Sequence, residues 1–173
     1  MACIRVLRED DDRSSFSCGQ DDLDRFFRKF AGRNQFLLHI GVTYGVEDRG
    51  RILAYATVAP GAIRADQYPA ARAKRLPRYP LPVLRLARLA VERTQQRKGH
   101  GTMLLKYVFL RALAMAEGFG CAGVLVDAKP EAVEYYARFG FEPADAIEGR
   151  IPSRPEPVPM FLDIGTIRAA CGM

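Results

Sequence analysis

The chain has 173 residues and a net charge of +6, with 49% apolar and 27% charged residues, which is the composition of a soluble globular protein of one domain, residues 1–173. No apolar run is long enough to cross a bilayer, and residues 1–10 alternate and then turn acidic instead of forming a secretion signal, so the expected compartment is the cytoplasm. Cys3, Cys18, Cys121 and Cys171 are scattered, with no pair at metal-ligand spacing, and His39 and His100 are the only histidines; no metal site and no histidine relay is expected.

In chain order, residues 3–7 alternate as a first strand. Residues 21–30 place Leu23, Phe26, Phe27 and Phe30 at spacings of three and four, the mark of an amphipathic helix with its phenylalanines toward the core. Residues 36–46 and 51–58 are rich in apolar and β-branched side chains and flank Glu47-Asp48-Arg49-Gly50, which predicts a β-hairpin, with His39 a packing residue in its first strand. Pro60-Gly61 is expected to end the second hairpin strand. Residues 63–82 carry Pro69, Pro77, Pro80 and Pro82 among alanines and arginines, which predicts a long loop with a short helix between residues 69 and 75.

Residues 83–92 form the next strand. A helix follows over residues 102–117, its broad apolar face made by Met103, Leu104, Tyr107, Val108, Leu110, Leu113 and Ala114. Residues 122–126 are a short continuous apolar run, expected as a strand buried on both faces. A second helix is predicted over residues 130–138, then a proline-rich connection over 149–159 and a last strand over 160–164. The order strand, helix, hairpin, strand, helix, strand, helix, strand gives a mixed α/β sheet. Its central strand–loop–helix unit presents Gln96-Arg97-Lys98-Gly99-His100-Gly101.

That hexapeptide stands at the start of a helix, where backbone N–H groups lack partners and the helix dipole adds positive charge, so it can bind a phosphate with the main chain itself. Gly99 and Gly101 allow a tight turn and a close approach. Charge supports an anionic ligand: between residues 61 and 101 ten basic residues stand against Asp66 and Glu92, a local balance of +8. Such a window suits a nucleotide cofactor, a nucleic acid or both; a solvated basic loop is the plain alternative.

Two separated motifs make the reading specific. The loop fits the pattern of Gln or Arg, two free residues, Gly, one free residue, and Gly or Ala; Tyr136-Ala137-Arg138-Phe139-Gly140-Phe141 places a tyrosine on a helix just before a Gly-Phe ending. Together they make residues 85–143 resemble the catalytic half of the GNAT acetyltransferase superfamily. The resemblance implies a GNAT-like mixed, mostly antiparallel sheet flanked by helices, with a splayed central strand pair. It implies that Leu89, Ala90 and Val91 pair with the pantetheine arm of acetyl-CoA, the acetyl donor. Gln96, Arg97, Lys98, Gly99, His100, Gly101 and Thr102 would then hold its diphosphate.

Tyr136 suits the proton donor to the leaving thiolate, since a phenol of reference pKa near ~10 is protonated at neutral pH. Adjacent helical residues face different ways, so at most one of Tyr135 and Tyr136 faces the sulfur, and family position favours Tyr136. A backbone N–H near Ala90 or Val91 would steady the oxyanion, and Glu92 or an ordered water could serve as a base. Lys129 stands where the family often has asparagine, so no cofactor contact is carried over to it.

Phe16-Ser17-Cys18-Gly19, the long basic loop, Leu86-Ala87-Arg88-Leu89-Ala90-Val91-Glu92 and Tyr136-Ala137-Arg138-Phe139-Gly140-Phe141-Glu142-Pro143 are most similar to GNAT toxins of type II toxin–antitoxin modules. This likeness implies acetylation of the α-amino group of aminoacyl-tRNA, a small antitoxin partner, and tRNA contacts from Arg72, Lys74, Arg75, Arg78 and Arg85. A homodimer with two basic loops side by side would suit tRNA. The other readings are a GNAT acting on a small amine or a protein amine, and a non-catalytic nucleic-acid-binding module.

Overall fold

The computed structural model describes residues 1–69, 76–145 and 156–172. The short helix expected between residues 69 and 75 and most of the proline-rich connection fall outside them. The strands form one seven-stranded sheet in the order β1-β2-β3-β4-β5-β7-β6, and the chain divides into two compact units, Met1–Ala59 with Ala87–Val108, and Pro60–Leu86 with Phe109–Met173. Three elements, β3 (Arg51–Ile63), β4 (Leu81–Val91) and α2 (His100–Gly118), contribute residues to both.

The first unit begins with β1 (Cys3–Val6) and α1 (Asp21–Arg25). Strand β2 (Val42–Asp48) pairs antiparallel with β1, Cys3 opposite Glu47, and with β3, Val42 opposite Val58. Only Arg49 and Gly50 separate β2 from β3, and both have positive φ, 52° and 78°. That is the primed two-residue turn whose twist matches a hairpin, so the predicted hairpin forms, with Gly50 meeting its φ requirement at no steric cost. The hairpin's second strand runs on through Pro60-Gly61 to Ile63 instead of ending there.

The helix after Asp21 is longer than its phenylalanine spacing predicts. It continues through two π-helical stretches, Phe26–Phe30 and Arg33–Leu37, where Ala31 N–H donates to Phe26 O and Leu38 N–H to Arg33 O. Residues 36 and 37 are therefore helical, not the start of a strand, and β2 begins only at Val42. His39 is an exposed turn residue with φ 55°, not a strand residue. Gln35 ties the helix to the sheet side: its Nε2 donates to Leu7 O at 3.3 Å and its Oε1 accepts from Thr43 N–H at 2.8 Å. Leu23, Phe26 and Phe27 reach the core as predicted, while Phe30 is 38% exposed. Tyr55 of β3 stacks on Phe27 at 4.4 Å and donates its hydroxyl to Leu23 O at 2.7 Å, which satisfies the one polar atom of that ring.

The second unit holds β5 (Gly123–Ala128), α3 (Val133–Ala137), β6 (Glu142–Pro143), β7 (Val158–Asp163) and α4 (Ile164–Ala170). Neither β6 nor α4 was expected from sequence. Strand β5 is buried on both faces, antiparallel to β7 and parallel to β4. A Cβ at Gly123 would lie 2.2 Å from Leu162 O, so only glycine allows that strand pair to approach. Asp163 starts α4 by accepting from Thr166 N–H at 3.1 Å.

Candidate active site

Strand β4 changes partners within its length. Its ladder to β5 joins Leu84 to Val124, Arg85 to Leu125 and Leu86 to Val126, and stops there, while β4 itself runs on to Val91. Among the described residues the β5-side edge of β4 is thus unpaired over residues 87–91.

The ladder to β3 is not uniform either. Glu92 N–H donates to Leu53 O at 2.8 Å, which in an unbroken antiparallel ladder would set Gly61 opposite Leu84; instead, a Cβ at Gly61 would meet Val83 and Arg85. The register has slipped by one residue, the signature of a bulge, which bends a strand and turns its edge. Because Glu92 faces β3, the main-chain groups of Val91 face the other edge, where Val91 O accepts from Gln96 Nε2 at 3.1 Å.

Beyond Val91, the Glu92 carboxylate caps a single 3₁₀ turn (Arg93–Gln95), accepting from Thr94 N–H at 3.0 Å and from the Thr94 hydroxyl, with Arg51 Nη2 3.2 Å away. Glu92 is buried and fully engaged there. Next, Arg97 and Gly99 take positive φ, 63° and 89°. Nothing lies within 4 Å of a Cβ at Gly99, so the glycine answers the backbone angle and not a lack of room, whereas Gly101 sits inside the first turn of α2 with no such angle.

The first helical bond is from Met103 N–H to Gly99 O at 3.0 Å, which leaves the amides of Lys98, Gly99, His100 and Gly101 without a backbone acceptor among the described residues. Four open donors at the positive end of a 19-residue helix form an anion cradle. Arg97 and Lys98 are exposed beside them, and Thr102 follows within the helix. This donor set fits the diphosphate of acetyl-CoA, and the free strand edge fits its amide-bearing arm. Gln96 departs from expectation: its side chain bridges Val91 O and Cys18 O (2.9 Å) and holds the loop instead of pointing to a ligand.

The segment around Cys18 is the loop's support. Arg93 N–H donates to Ser17 O at 2.8 Å, the Arg93 guanidinium covers Gly19, and Cys18 N–H donates to the buried carboxylate of Asp24 at 2.7 Å. Burial, reinforced by the neighbouring Asp24, pushes the Cys18 thiol up to about 12, which keeps it an inert thiol at neutral pH. A cysteine flanked by Ser and Gly gave no hint in sequence of contacts to residues more than seventy positions away.

In the second unit, Tyr136 projects from α3 into a buried position against Phe141, ring centroids 5.4 Å apart. Burial first, then the neighbouring Tyr135, raises its phenol well above the usual tyrosine value, so it stays protonated. Its hydroxyl has no hydrogen-bond partner among the described residues, which leaves the proton uncommitted. Tyr135, in edge contact with Tyr136 at 5.4 Å, is only half-buried and lies under Arg138.

The basic-loop residues divide. Arg78 is exposed; Arg72, Lys74 and Arg75 lie outside the described residues. Arg85 does not belong with them: it is 7% exposed and its Nη1 lies 2.5 Å from Asp127 Oδ2, a buried pair at the last rungs joining β4 to β5. Its charge is spent inside the protein. Among the described residues there is no cluster of His, Cys, Asp or Glu able to hold a metal ion, and no helix is long and apolar enough to cross a membrane.

Comparison with known proteins agrees with this geometry. Residues 39–143 match the family model of the acetyltransferase (GNAT) domain. A tRNA-acetylating toxin of Mycobacterium tuberculosis is 34% identical over 140 residues, 80% of this chain and 82% of its own. The structure of AtaT complexed with acetyl-methionyl-tRNAfMet superposes with a TM-score of 0.83 at 23% identity, covering 99% of each chain. AtaT bound to the C-terminus of the antitoxin AtaR and acetyl-CoA gives a TM-score of 0.77 at 22% identity, covering 100% of this chain and 99% of that one. The fold is theirs, and on the extent of the family match the chain belongs to the GNAT acetyltransferase family.

Proposed function

We propose that the protein is a toxin that transfers the acetyl group of acetyl-CoA directly to the α-amino group of aminoacyl-tRNA in the cytoplasm, and that a small antitoxin restrains it. The observation that carries the transferase half is the unpaired edge of β4 after Leu86 leading into the open amides of residues 98–101. The acceptor is supported by the 34% identical tRNA-acetylating relative and by the excess of basic residues between 61 and 101.

Acetyl-CoA supplies an activated acetyl thioester. Leu89, Ala90 and Val91 line its arm, with an N–H near Ala90 or Val91 facing the charge that develops on the acetyl oxygen. Lys98, Gly99, His100 and Gly101 hold the diphosphate through their amides, with Arg97, Lys98 and Thr102 beside it. Tyr136 gives its uncommitted proton to the departing thiolate.

No strong base is required, because an α-amino group with a reference pKa of about 7.7–8.0 is already substantially neutral. Glu92, tied to Thr94 and Arg51, is replaced in this role by water. Arg72, Lys74, Arg75 and Arg78 attract the tRNA backbone, and a homodimer would set two such loops on one tRNA.

The test is expression in cells followed by mass analysis of the 3′ ends of their tRNA. Acetylated aminoacyl ends are expected, and their loss on co-expression of a cognate antitoxin. Growth arrest with unmodified aminoacyl ends would reject the acceptor; purified protein that transfers acetyl to small amines alone would reject the toxin reading while keeping the enzyme.

A further inference from the structure

Two arginines three residues apart on β4 meet opposite fates. Arg85 is neutralised by Asp127. Arg88 has neither an ion pair nor a hydrogen-bond acceptor among the described residues; its guanidinium carbon lies 3.6 Å from the centroid of the Phe26 ring. Desolvation pulls its pKa down, opposed by the fields of Tyr55 and Asp22, and it remains a cation at neutral pH. A half-buried charge without a counter-ion is costly, and a ring beneath it offsets only part of that cost. The edge of the guanidinium, with its N–H donors, is left for a ligand.

The position of Arg88 on the strand selects that ligand. The phosphate cradle lies beyond the C-terminal end of β4, and the donor's arm along residues 89–91 is uncharged, so Arg88, about 10 Å before Val91 at the usual strand rise, meets no anion of acetyl-CoA. It lies at the thioester end, where the acceptor amine must arrive. In aminoacyl-tRNA the nearest anion to that amine is the phosphodiester entering the terminal nucleotide, separated from it by the amino-acid ester and one ribose.

We propose that Arg88, braced on Phe26, binds the terminal phosphodiester of the acceptor strand and so positions the α-amine at the thioester. This inference rests on the aminoacyl-tRNA reading. It makes the enzyme selective for an amine that carries a phosphate at fixed reach, and guanidinium suits the task because it offers paired donors to two phosphate oxygens.

The experiment is a cycle between protein and substrate. Wild-type protein and Arg88→Met are assayed on an aminoacylated minihelix with the natural linkage or an uncharged methylphosphonate at the terminal nucleotide, with acetyl-CoA affinity and the unfolding transition followed in parallel. Wild type is expected to lose about ten- to hundredfold in kcat/KM on the neutral linkage, mostly through KM, as for a charge-assisted hydrogen bond. Arg88→Met should start lower by a similar factor and lose less than about threefold further, with Arg88→Lys between the two.

Equal losses in wild type and Arg88→Met would overturn the proposal. So would a wild type indifferent to the neutral linkage, whether or not the variants fold, and so would discrimination that follows the amino-acid side chain alone. A wild type that acetylates other amines but not the natural minihelix would instead overturn the aminoacyl-tRNA reading, and this inference with it.

Discussion

Replacing Tyr136 by Phe separates catalysis from folding. The Tyr136 hydroxyl has no hydrogen-bond partner among the described residues and its ring is buried against Phe141, so removing the oxygen strands no donor or acceptor and keeps the edge contact at 5.4 Å. The folding cost should stay within about 0.5 kcal/mol. If the phenol is the proton donor, turnover should fall about 10²- to 10⁴-fold, equivalent to roughly 3–5 kcal/mol of barrier, while acetyl-CoA affinity stays unchanged.

Tyr135→Phe is the internal control: one residue away on α3, it points about 100° round the helix and should lose less than about threefold. Single-turnover acetyl transfer with thiol release, read beside calorimetric binding of acetyl-CoA, measures both quantities. The elevated phenol pKa adds a pH signature. The protonated, active form persists above the pH at which an ordinary tyrosine ionises, so wild type should show no fall in rate as pH approaches 10. Equal turnover of Tyr136→Phe and wild type, or equal losses at Tyr135 and Tyr136, would refute the assignment.

Gly99→Ala should weaken acetyl-CoA binding and cost about 1–2 kcal/mol of stability by calorimetry, because its Cβ meets nothing within 4 Å and only the φ of 89° is penalised. Arg85→Met should destabilise by about 3–5 kcal/mol in urea unfolding by stripping Asp127 of its buried counter-charge, and adding Asp127→Asn should restore much of it; an additive double variant would contradict the pairing. Changing Arg72, Lys74, Arg75 and Arg78 together to Ala should spare acetyl-CoA hydrolysis while flattening the salt dependence of tRNA binding by up to about 3–4 in log–log slope, with unchanged tRNA affinity as the contrary result. Cys18 has its pKa raised on folding from 9.0 to about 12, so its contribution to stability is whole below pH 9 and is lost as pH rises toward 12; Cys18→Ala should show a shallower alkaline decline in unfolding free energy.

Local chemistry made much of the architecture legible in the sequence. The turn at Arg49-Gly50 and the buried run at β5 each follow from periodicity and from the backbone needs of single residues. The apolar face of α2 was only partly legible: Leu104, Val108 and Leu113 are buried as predicted, but Leu110 is 53% exposed and Ala114 is exposed, and Leu105, Phe109 and Ala112 are buried in their place. The helix after Asp21 was underestimated because Phe36, Leu37, Leu38 and Ile40 read as a strand. What keeps residues 33–37 helical is Gln35 reaching Leu7 and Thr43, a tertiary bond with no local trace. Helix α4 did leave a trace, Asp163 three residues before Thr166, a capping signal close to the predicted strand end.

The cradle at residues 98–101 was legible because two glycines and a helix start are local features. The separation of Arg85 from Arg78 was not, since it depends on Asp127, forty-two positions away in the chain. The uncompensated charge of Arg88 is equally a property of packing.

One strand therefore carries two opposed demands. Residues 84–86 of β4 are fixed by the ladder to β5 and by the buried pair of Arg85 with Asp127, and the release of β4 begins at the very next residue. A strand edge and four helix-start amides without backbone partners among the described residues lower the stability of the ligand-free protein, because each such group must be satisfied by water or by a ligand. The anchor at residues 84–86 confines this loosening to the segment that needs it. Binding energy from acetyl-CoA should then return to the fold as linkage: at a ligand concentration one hundred times Kd, unfolding should be harder by about 2.7 kcal/mol. Hydrogen exchange should show the added protection at Val91 and residues 98–101 and leave Leu84, Arg85 and Leu86 as slow as before. Protection spread evenly along β4 would mean that the free edge is not where the donor binds.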